Sequence, residues 1–438
     1  MIRWLTLLLF TISIGASCET DRPPNIVWIW ADNLAYQDLA CYGNESVETP
    51  NIDRLAEGGV RFTQYYIAHT VCSPSRAGFL TGRQPHRVGI VDVLRPDSPS
   101  GIPDDEITIA EALKERGYKT AAYGKWHLGD RKEFLPIHHG FDTYFGLPYS
   151  MDMLPTLLIK DDEIVERLDG DKVQTITERL VDSAIEFIEE NREDPFFIYF
   201  NHTIPHPPIN LKPEDRREGK TLYQSAVEVM DRETGRLIDC IDELGLRENT
   251  LIVFSSDNGP MVRDGETGVL RGRIRDAHEG GIRVPMIANW PGKIPEKRTV
   301  EEPAIAYDFF PTFLHLAGAE VPTDRIYDGQ DIWPLLSGEG EIERENPFVW
   351  IYFDRVTALR SGNWKLHLGD RERQLEDPTL YDLATDPGES HSLATERPEV
   401  VEALTKKAKE IESDLPFVWN LKYPVRDAAK RPSGVRRE

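Results

Sequence analysis

The feature that most constrains the fold of this chain is an alternation of short apolar runs with longer helical stretches. The apolar runs lie at residues 25–31, 118–123, 195–200 and 250–256. Helical stretches at residues 108–116, 175–191 and 222–244 precede the last three runs. Continuous apolar runs are typical of strands buried on both faces of a parallel sheet, and alternation with helices favours a doubly wound arrangement. We therefore predict an α/β fold with a large, mostly parallel sheet flanked by helices.

Each of the four apolar runs is followed by residues that can bind a metal ion or transfer a proton. In chain order these are Asp32 with Asn33, Lys125 with His127, His202 with His206, and Asp257 with Asn258. In a doubly wound sheet, ligands bind outside the carboxyl ends of the strands. Any one pair has a structural explanation as a turn, a helix cap or a surface histidine, but four together indicate one site. The carboxylate and amide oxygens suit Ca²⁺ or Mg²⁺ and argue against zinc.

Residues 72–82, with the sequence Cys-Ser-Pro-Ser-Arg-Ala-Gly-Phe-Leu-Thr-Gly, form the most specific motif in the chain. Ser73 before Pro74 predicts a hydroxyl cap at a helix start, because the missing N–H of proline costs nothing in the first turn. Cys72 is then expected at a helix N-terminus, where anions are favoured and a thiol is acidified. Arg76 adds a planar fork of donors suited to a sulfate or phosphate. A small buried cysteine is the alternative, and it is the better explanation only for an isolated Cys-x-Pro.

This motif resembles the signature Cys-x-Pro-Ser-Arg-x-x-x-Leu-Thr-Gly of the type I, arylsulfatase-like sulfatases of the alkaline phosphatase superfamily. Other segments similar to that family lie at residues 24–27, 31–34, 117–120, 124–127, 205–206, 257–259, 279–285, 364–366 and 381–383. The resemblance implies that a formylglycine-generating enzyme oxidises Cys72 to formylglycine. The hydrated aldehyde of that residue then attacks the sulfur of a sulfate ester. We therefore expect a sulfuric ester hydrolase that acts on a sulfated carbohydrate or an aryl sulfate.

The resemblance also implies a role for each site residue. It implies that Ca²⁺, with Mg²⁺ as the less favoured ion, is bound by Asp32, Asn33, Asp257, Asn258 and the modified Cys72. Arg76 and Lys125 are implied to orient the diol and to balance charge. His206 would protonate the leaving alcohol, and His127 would help remove the diol proton so that the sulfated intermediate collapses to aldehyde and free sulfate, as a two-step covalent mechanism requires. Ser150 is implied to touch the substrate.

Two positions depart from the family pattern. Asn33 stands where the family usually has a second aspartate, and Ile274 stands where it has a lysine that contacts the sulfate. One negative and one positive group are therefore missing, which leaves the local charge sum unchanged. We predict a compensated site in which Arg273 or Arg275 contacts the sulfate. The alternative is that both arginines lie on a solvated rim and that the site is weaker or altered.

The two ends of the chain carry separate predictions. Residues 1–18 combine a basic start, an apolar run and small residues, which is typical of an export signal and too short for a membrane span. We expect the mature protein in the periplasm or outside the cell, with free secretion and a lipid anchor at Cys18 as open alternatives. Residues 19–338 are predicted to form the catalytic domain, 346–425 a smaller antiparallel sheet with a helix, and 427–438 a disordered tail.

The formal net charge is −24, from 51 basic and 75 acidic residues. Such a surface repels polyanions at long range, so a sulfated substrate requires positive charge concentrated in a cleft. We predict no nucleic-acid partner. Two alternative functions stay open at this point: a phosphonate monoester or phosphodiester hydrolase on the same fold, and a sulfatase-like protein that binds sulfated glycan without catalysis.

Overall fold

The computed structural model describes residues 22–261, 265–344, 346–353, 355–369 and 374–414. The predictions for the export signal at residues 1–18, for Cys18 and for the tail at 427–438 lie outside these residues. Within the described ranges, no helix combines the length and the apolar character needed to cross a bilayer. The domain limits 19–338 and 346–425 stay a prediction.

Strands and helices alternate through most of the described chain. The strands are β1 (Asn25–Ala31), β2 (Val60–Phe62), β3 (Tyr65–Tyr66), β4 (Lys119–Lys125), β5 (Thr143–Leu147), β6 (Leu157–Lys160), β7 (Glu163–Arg167), β8 (Phe196–Asn201), β9 (Thr250–Ser256), β10 (Met286–Asn289), β11 (Arg298–Val300), β12 (Ala304–Ile305), β13 (Phe348–Tyr352), β14 (Arg355–Ser361), β15 (Trp364–Gly369) and β16 (Gln374–Asp382). The helices are α1 (Pro50–Glu57), α2 (Cys72–Thr81), α3 (Pro85–Val88), α4 (Ile109–Lys114), α5 (Ile176–Glu190), α6 (Leu222–Glu243), α7 (Glu279–Ile282), α8 (Phe309–Leu316), α9 (Trp333–Ser337) and α10 (Pro398–Asp414).

Ten of these strands form one sheet, in the order β11-β2-β10-β9-β1-β8-β4-β5-β6-β7. Its centre, β9-β1-β8-β4-β5, is parallel throughout. Toward the edges, β10 pairs antiparallel with β9, and the β6–β7 hairpin is antiparallel as well. The four apolar runs correspond to β1, β4, β8 and β9. The prediction of a large, mostly parallel α/β sheet flanked by helices is confirmed.

The two faces of this sheet bury alternate side chains of β1. Trp28 and Trp30 belong to the core cluster that includes α2, α4 and α8, and the Trp28 ring stacks on Phe79 with 4.2 Å between centroids. Val27 and Ile29 lie on the opposite face and belong to the cluster that includes α1, α5 and α6. Because both faces are covered, the strand is apolar throughout instead of alternating with polar residues.

The second sheet is antiparallel, in the order β13-β14-β15-β16, and α10 packs against one face of it. The predicted smaller C-terminal antiparallel sheet with a helix is confirmed. The sequence pattern predicts strands at residues 347–353, 356–361 and 364–368, which correspond to β13, β14 and β15. It predicts no strand over β16, because Glu376, Asp377 and Pro378 interrupt the apolar pattern. An edge strand tolerates a proline, since one side of it makes no ladder hydrogen bonds.

Gly124 and Gly117 form a matched pair that tests how tightly β4 packs against β8. Both have a positive φ, +84° for Gly124 and +83° for Gly117. A Cβ at Gly124 would lie 1.7 Å from the Asn201 carbonyl oxygen, whereas one at Gly117 meets nothing within 4 Å. Gly117→Ala should cost about 1–2 kcal/mol of left-handed backbone strain, and Gly124→Ala about 1–3 kcal/mol more from overpacking. Equal free energies of unfolding for the two variants in urea would contradict this expectation.

Candidate active site

Four neighbouring strands bring the predicted site residues to one edge of the large sheet. β9, β1, β8 and β4 are adjacent, and the polar residues follow the carboxyl end of each. The exposed fraction is at most 5% for Asp32, Asn33, Cys72, Arg76, Lys125, His127, His206, Asp257 and Asn258. The sequence-predicted ligands, cations and histidines therefore lie together in one enclosed site.

Cys72 is the first residue of α2. Val71 occupies the N-cap without a side-chain capping bond, and Ser73 Oγ accepts a hydrogen bond from the Leu94 backbone N–H at 3.0 Å. The predicted hydroxyl cap is wrong, because Ser73 lies inside the helix and binds a neighbouring loop. The predicted acidification of the thiol is also wrong, since burial raises the pKa of Cys72 to about 11 although the charge of Lys125 opposes the rise. An unmodified Cys72 is therefore a neutral thiol at neutral pH.

Arg76 is held by four hydrogen bonds. Its Nε and Nη2 donate to Asp257 Oδ2 at 3.1 and 2.7 Å. Its Nη1 donates to the Lys125 carbonyl oxygen at 2.7 Å and to Asn201 Oδ1 at 2.9 Å. Asn201 is a site residue to which the sequence analysis assigns no role. Its position at the end of β8 is the same signal that identifies the other site residues.

Lys125 forms a buried ion pair with Asp32. Its Nζ lies 2.7 and 2.9 Å from the two carboxylate oxygens of Asp32 and 3.9 Å from Asp257 Oδ2. Burial by itself lowers the pKa of Lys125, but the negative charges of Asp32 and Asp257, together with Cys72, outweigh it and the net pKa lies above the ordinary value. Two carboxylates and two cations, Arg76 and Lys125, therefore form a compact cluster in which the charges balance.

The oxygen-rich side of this cluster fits a hard divalent cation. Asp32, Cys72 and Asp257 each offer a ligand atom, and these three atoms lie within 4.8 Å of one another. Asn258 Oδ1 is buried and has no hydrogen-bond partner among the described residues, so it offers a further oxygen. Asn33 lies beside it, because Asn258 Nδ2 donates to Asn33 Oδ1. Carboxylate and amide oxygens are the donors that Ca²⁺ and Mg²⁺ prefer, so this donor set suits either ion.

His127 and His206 differ in which ring nitrogen is engaged. His127 Nε2 lies 3.1 Å from the Leu94 carbonyl oxygen, which assigns the ring proton to Nε2. Its Nδ1 is buried without a hydrogen-bond partner in the described part of the chain, so it carries a lone pair. Burial, reinforced by the positive charge of Lys125, holds the pKa of His127 well below its ordinary value. His206 Nδ1 donates a hydrogen bond to the Pro207 carbonyl oxygen. The other ring nitrogen, Nε2, is not part of this hydrogen bond.

Arg273 is engaged by its own loop. Its Nη1 lies within hydrogen-bond distance of the Met261 carbonyl oxygen at 3.3 Å and of the Gly265 carbonyl oxygen at 3.2 Å. The next residue, Ile274, donates its backbone N–H to the Pro260 carbonyl oxygen at 3.0 Å. These contacts direct the Arg273 side chain toward the loop.

Arg275 adjoins the segment that contains the nucleophile motif. Its backbone N–H donates to the carbonyl oxygen of Thr70, two residues before Cys72, at 2.9 Å. Its Nη1 lies 3.9 Å from Asp92 Oδ1. Asp92 lies two residues before Leu94. The Leu94 backbone N–H donates to Ser73 Oγ on α2, and the Leu94 carbonyl oxygen lies 3.1 Å from His127 Nε2. Of the two arginines, Arg275 is therefore the one connected to the site.

Ser150 is nearly buried, and its Oγ has no hydrogen-bond partner among the residues described. The ring of the preceding Tyr149 packs edge-on against His127, with 5.4 Å between centroids. Ser150 therefore directly follows a residue that contacts the site, and its hydroxyl is available to a ligand.

Comparison with known proteins identifies this arrangement. A family model described as Sulfatase matches residues 24–319. The chain belongs to the sulfatase family. A second model, described as N-sulphoglucosamine sulphohydrolase, C-terminal, matches residues 265–414 of this sulfatase. The present sulfatase is 37% identical to human arylsulfatase A over 450 residues, which covers 90% of the present chain and 88% of human arylsulfatase A. It is 31% identical to N-acetylgalactosamine-6-sulfatase of Canis lupus familiaris over 460 residues, which covers 92% of the chain and 88% of that protein.

A solved structure has a similar fold. The crystal structure of Ps i-CgsB in complex with k-i-k-neocarrahexaose matches this sulfatase with a TM-score of 0.82 and 29% identity. The match covers 91% of this sulfatase and 94% of the Ps i-CgsB chain. The predicted sulfuric ester hydrolase is confirmed: this sulfatase hydrolyses the sulfate esters of glycans or aryl alcohols. The family generally uses Ca²⁺ and formylglycine. These relatives favour neither of the two alternative functions, the phosphonate monoester or phosphodiester hydrolase and the sulfatase-like protein that binds sulfated glycan without catalysis.

Proposed function

We propose that this sulfatase removes sulfate from a sulfated sugar at the site around Cys72. The observation that carries the proposal is the convergence of Cys72 with Asp32, Asp257, Arg76 and Lys125 at the ends of adjacent strands. A sulfate requires positive charge around its oxygens. Because Asp32 and Asp257 balance Arg76 and Lys125, a divalent cation bound beside them would supply that charge locally on a chain with a net charge of −24. A sugar is favoured because two similar proteins carry glycan names, N-acetylgalactosamine-6-sulfatase and Ps i-CgsB in complex with k-i-k-neocarrahexaose.

We assign metal binding to Asp32, Asn33, Asp257, Asn258 and the oxidised Cys72. Five protein ligands suit Ca²⁺ better than Mg²⁺, because Mg²⁺ usually keeps several of its waters. When bound, the cation supplies positive charge to a sulfate oxygen, and formylglycine at residue 72 supplies the attacking oxygen. The neutral buried thiol of Cys72 supports this assignment, because the unmodified residue offers no thiolate. A formylglycine-generating enzyme is then a required partner during maturation.

His127 and His206 divide the proton transfers in this proposal. Neutral His127 presents an unpartnered Nδ1, which suits it to accept the proton of a hydroxyl at residue 72. His206 presents Nε2, which suits it to donate a proton to the oxygen of the leaving alcohol. Arg76 and Lys125 hold the two carboxylates in place, and their charges balance the charge that develops on the sulfate.

We assign substrate contacts to Ser150 and Arg275. Ser150 has a buried hydroxyl without a partner in the described ranges, and Arg275 is bonded to the nucleophile segment through Thr70. Arg275 is therefore the better candidate to replace the sulfate-contacting lysine that the family has at the position of Ile274. The loop carbonyls bound by Arg273 argue against a substrate contact there.

We also propose that the protein is exported to the periplasm or outside the cell. The pattern of residues 1–18 supports export, and sulfated glycans are reached outside the cytoplasm. The mass of the mature N-terminus distinguishes an acylated Cys18 from free secretion.

The mass of the tryptic peptide at residues 62–76 tests the assignment of Cys72. The protein is made in a host that carries the formylglycine-generating enzyme, and sulfate release is measured on the same sample. Formylglycine replaces the thiol by an aldehyde, which lowers the peptide mass and introduces a group that reacts with hydrazines. Unmodified Cys72 in a preparation that releases sulfate would contradict the assignment.

Replacing His206 by alanine should lower kcat for an alkyl or sugar sulfate by about 10²- to 10⁴-fold, because the leaving oxygen loses its proton donor. Hydrolysis of 4-nitrophenyl sulfate should be slowed much less, since nitrophenolate leaves without a proton. His127→Ala is the matched control, and it should slow both substrates by similar factors because it acts on the attacking oxygen. Equal losses on both substrates in His206→Ala would remove His206 as the general acid.

A further inference from the structure

A cavity of about 380 Å³ lies between the loop at residues 274–278 and one edge of the second sheet. Its lining includes Thr70, Ile274, Arg275, His278, Tyr352 and His367. A volume of this size lies within the range of small-ligand pockets. Because β13, β14 and β15 form one wall and loops of the large sheet form the other, a ligand there would contact both sheets.

The cavity adjoins the segment that places Cys72. Thr70, which lines the cavity, lies two residues before Cys72 and accepts the backbone hydrogen bond of Arg275 at 2.9 Å. Ile274, at the position where the family has a sulfate-contacting lysine, lines the same cavity. Thr70 and Ile274 therefore place the cavity beside the segment that leads into Cys72.

His278 is a polar residue of the cavity lining whose ring orientation is fixed by its neighbours. Its Nδ1 lies 2.5 Å from Asp276 Oδ1, and its ring stacks on His367 with 4.2 Å between centroids. Nδ1–H therefore donates a hydrogen bond to the carboxylate, and the stack fixes the plane of the ring. No described residue forms a hydrogen bond with Nε2 of His278, whose side chain is 17% exposed. This nitrogen is available to a ligand hydroxyl.

A metal ion is a poor occupant for the group formed by His278, His367 and Glu389. Their ligand atoms lie within 4.8 Å of one another. However, the buried Lys365 Nζ lies 3.1 Å from Glu389 Oε1 and already supplies a positive charge at that point. His367 Nε2 donates to the same carboxylate oxygen at 2.6 Å. The hydrogen bond to Glu389 fixes His367 as the support for the His278 ring.

We propose that this cavity binds the sugar ring of the leaving alcohol and that His278 selects the ring by accepting a hydrogen bond from a sugar hydroxyl at Nε2. The proposal rests on the proposed function at Cys72 and adds the residue that recognises the alcohol. Tyr352 contributes an aromatic surface of the kind on which sugar rings pack. An aryl alcohol without hydroxyl groups leaves Nε2 unsatisfied, so this contact favours sugars over aryl groups.

The test compares sulfate release from sugar sulfates and from 4-nitrophenyl sulfate. A panel of monosaccharides and disaccharides sulfated at each hydroxyl identifies the sugar that the wild-type protein hydrolyses fastest. His278→Phe keeps a planar ring against His367 but removes both nitrogens. We expect its kcat/KM for that sugar to fall about 10-fold or more relative to its kcat/KM for 4-nitrophenyl sulfate. His278→Gln, whose amide can still bind a hydroxyl, should recover part of this selective loss.

His315→Phe is the matched control, because His315 Nδ1 also lies 2.5 Å from a carboxylate, that of Asp331, but on the exposed surface of α8. It should leave the ratio of the two kcat/KM values unchanged. A parallel fall of both values in His278→Phe overturns the proposal. So does the absence of any sugar turnover by a protein that hydrolyses 4-nitrophenyl sulfate. Loss of turnover on both substrate classes by wild-type protein with formylglycine at residue 72 overturns the proposed function instead.

Discussion

Replacing Cys72 by alanine is expected to reduce sulfate release by on the order of 10⁴-fold or more. Alanine cannot be oxidised to an aldehyde, so the attacking oxygen is lost. Burial raises the pKa of the Cys72 thiol to about 11, so desolvation also disfavours a thiolate nucleophile at this position. The change removes a single sulfur atom from the first turn of α2, and we expect it to lower the free energy of unfolding by about 1 kcal/mol.

Cys240→Ala is the matched control for this experiment. Cys240 is a buried free cysteine within α6, away from the strand ends that form the site. Initial rates on 4-nitrophenyl sulfate and thermal unfolding curves should be recorded for both variants. We expect Cys240→Ala to retain turnover and both proteins to unfold cooperatively. Turnover retained by a folded Cys72→Ala protein would refute the role of this residue.

Replacing Lys365 by methionine is expected to lower the free energy of unfolding by about 3–5 kcal/mol. Lys365 lies on β15 and is fully buried, with its Nζ 2.8 Å from Glu279 Oε1 and 3.1 Å from Glu389 Oε1. Burial raises the pKa of Glu279, but the charges of Lys365, Arg283 and Arg360 together outweigh it, and the net pKa lies below the ordinary value. Removing the ammonium would leave two carboxylates buried together without their shared cation. Since Glu279 begins α7, the change would also remove an ion pair that joins the second sheet to that helix.

Lys132→Met is the matched control for this prediction. Lys132 also pairs with two carboxylates, Asp162 at 3.2 Å and Glu163 at 2.8 Å, but its side chain is 61% exposed. An exposed pair of this kind contributes about 0–1 kcal/mol. Urea denaturation of both variants measures the difference, and Lys365→Met combined with Glu389→Gln should recover part of the loss because one buried charge is removed. Similar unfolding free energies for the two lysine variants would show that the buried network does not stabilise the fold.

The strand ends that form the site could be predicted because each of the four central strands contains a run of apolar or small residues. In such a strand, a polar residue such as Asp32 or Asp257 marks the point where the chain leaves the core. The carboxyl ends of parallel strands meet at one edge, so position along the chain was enough to place Lys125 and His206 with them. This reasoning depends only on local hydrophobicity, which is why it succeeded.

Other contacts of the site could not be predicted, because they join elements far apart in the chain. Asn201 binds Arg76 across 125 residues, and Lys365 binds Glu279 across 86 residues. Before folding, each is an ordinary polar residue beside an apolar run. Ser73 was expected to cap a helix, but it binds Leu94 from a loop that the motif does not contain.

The sequence by itself determined the doubly wound sheet, the motif around Cys72 and the membership of the sulfatase family. These depend on short-range patterns of apolar residues and on a motif of adjacent residues. Only the tertiary structure decided that Cys72 is a neutral thiol, that Arg275 adjoins the nucleophile segment while Arg273 binds its own loop, and that His278 lines a cavity between the two sheets. The physical reason is that desolvation, ion pairing and cavity shape arise from surfaces that come together only when distant segments pack.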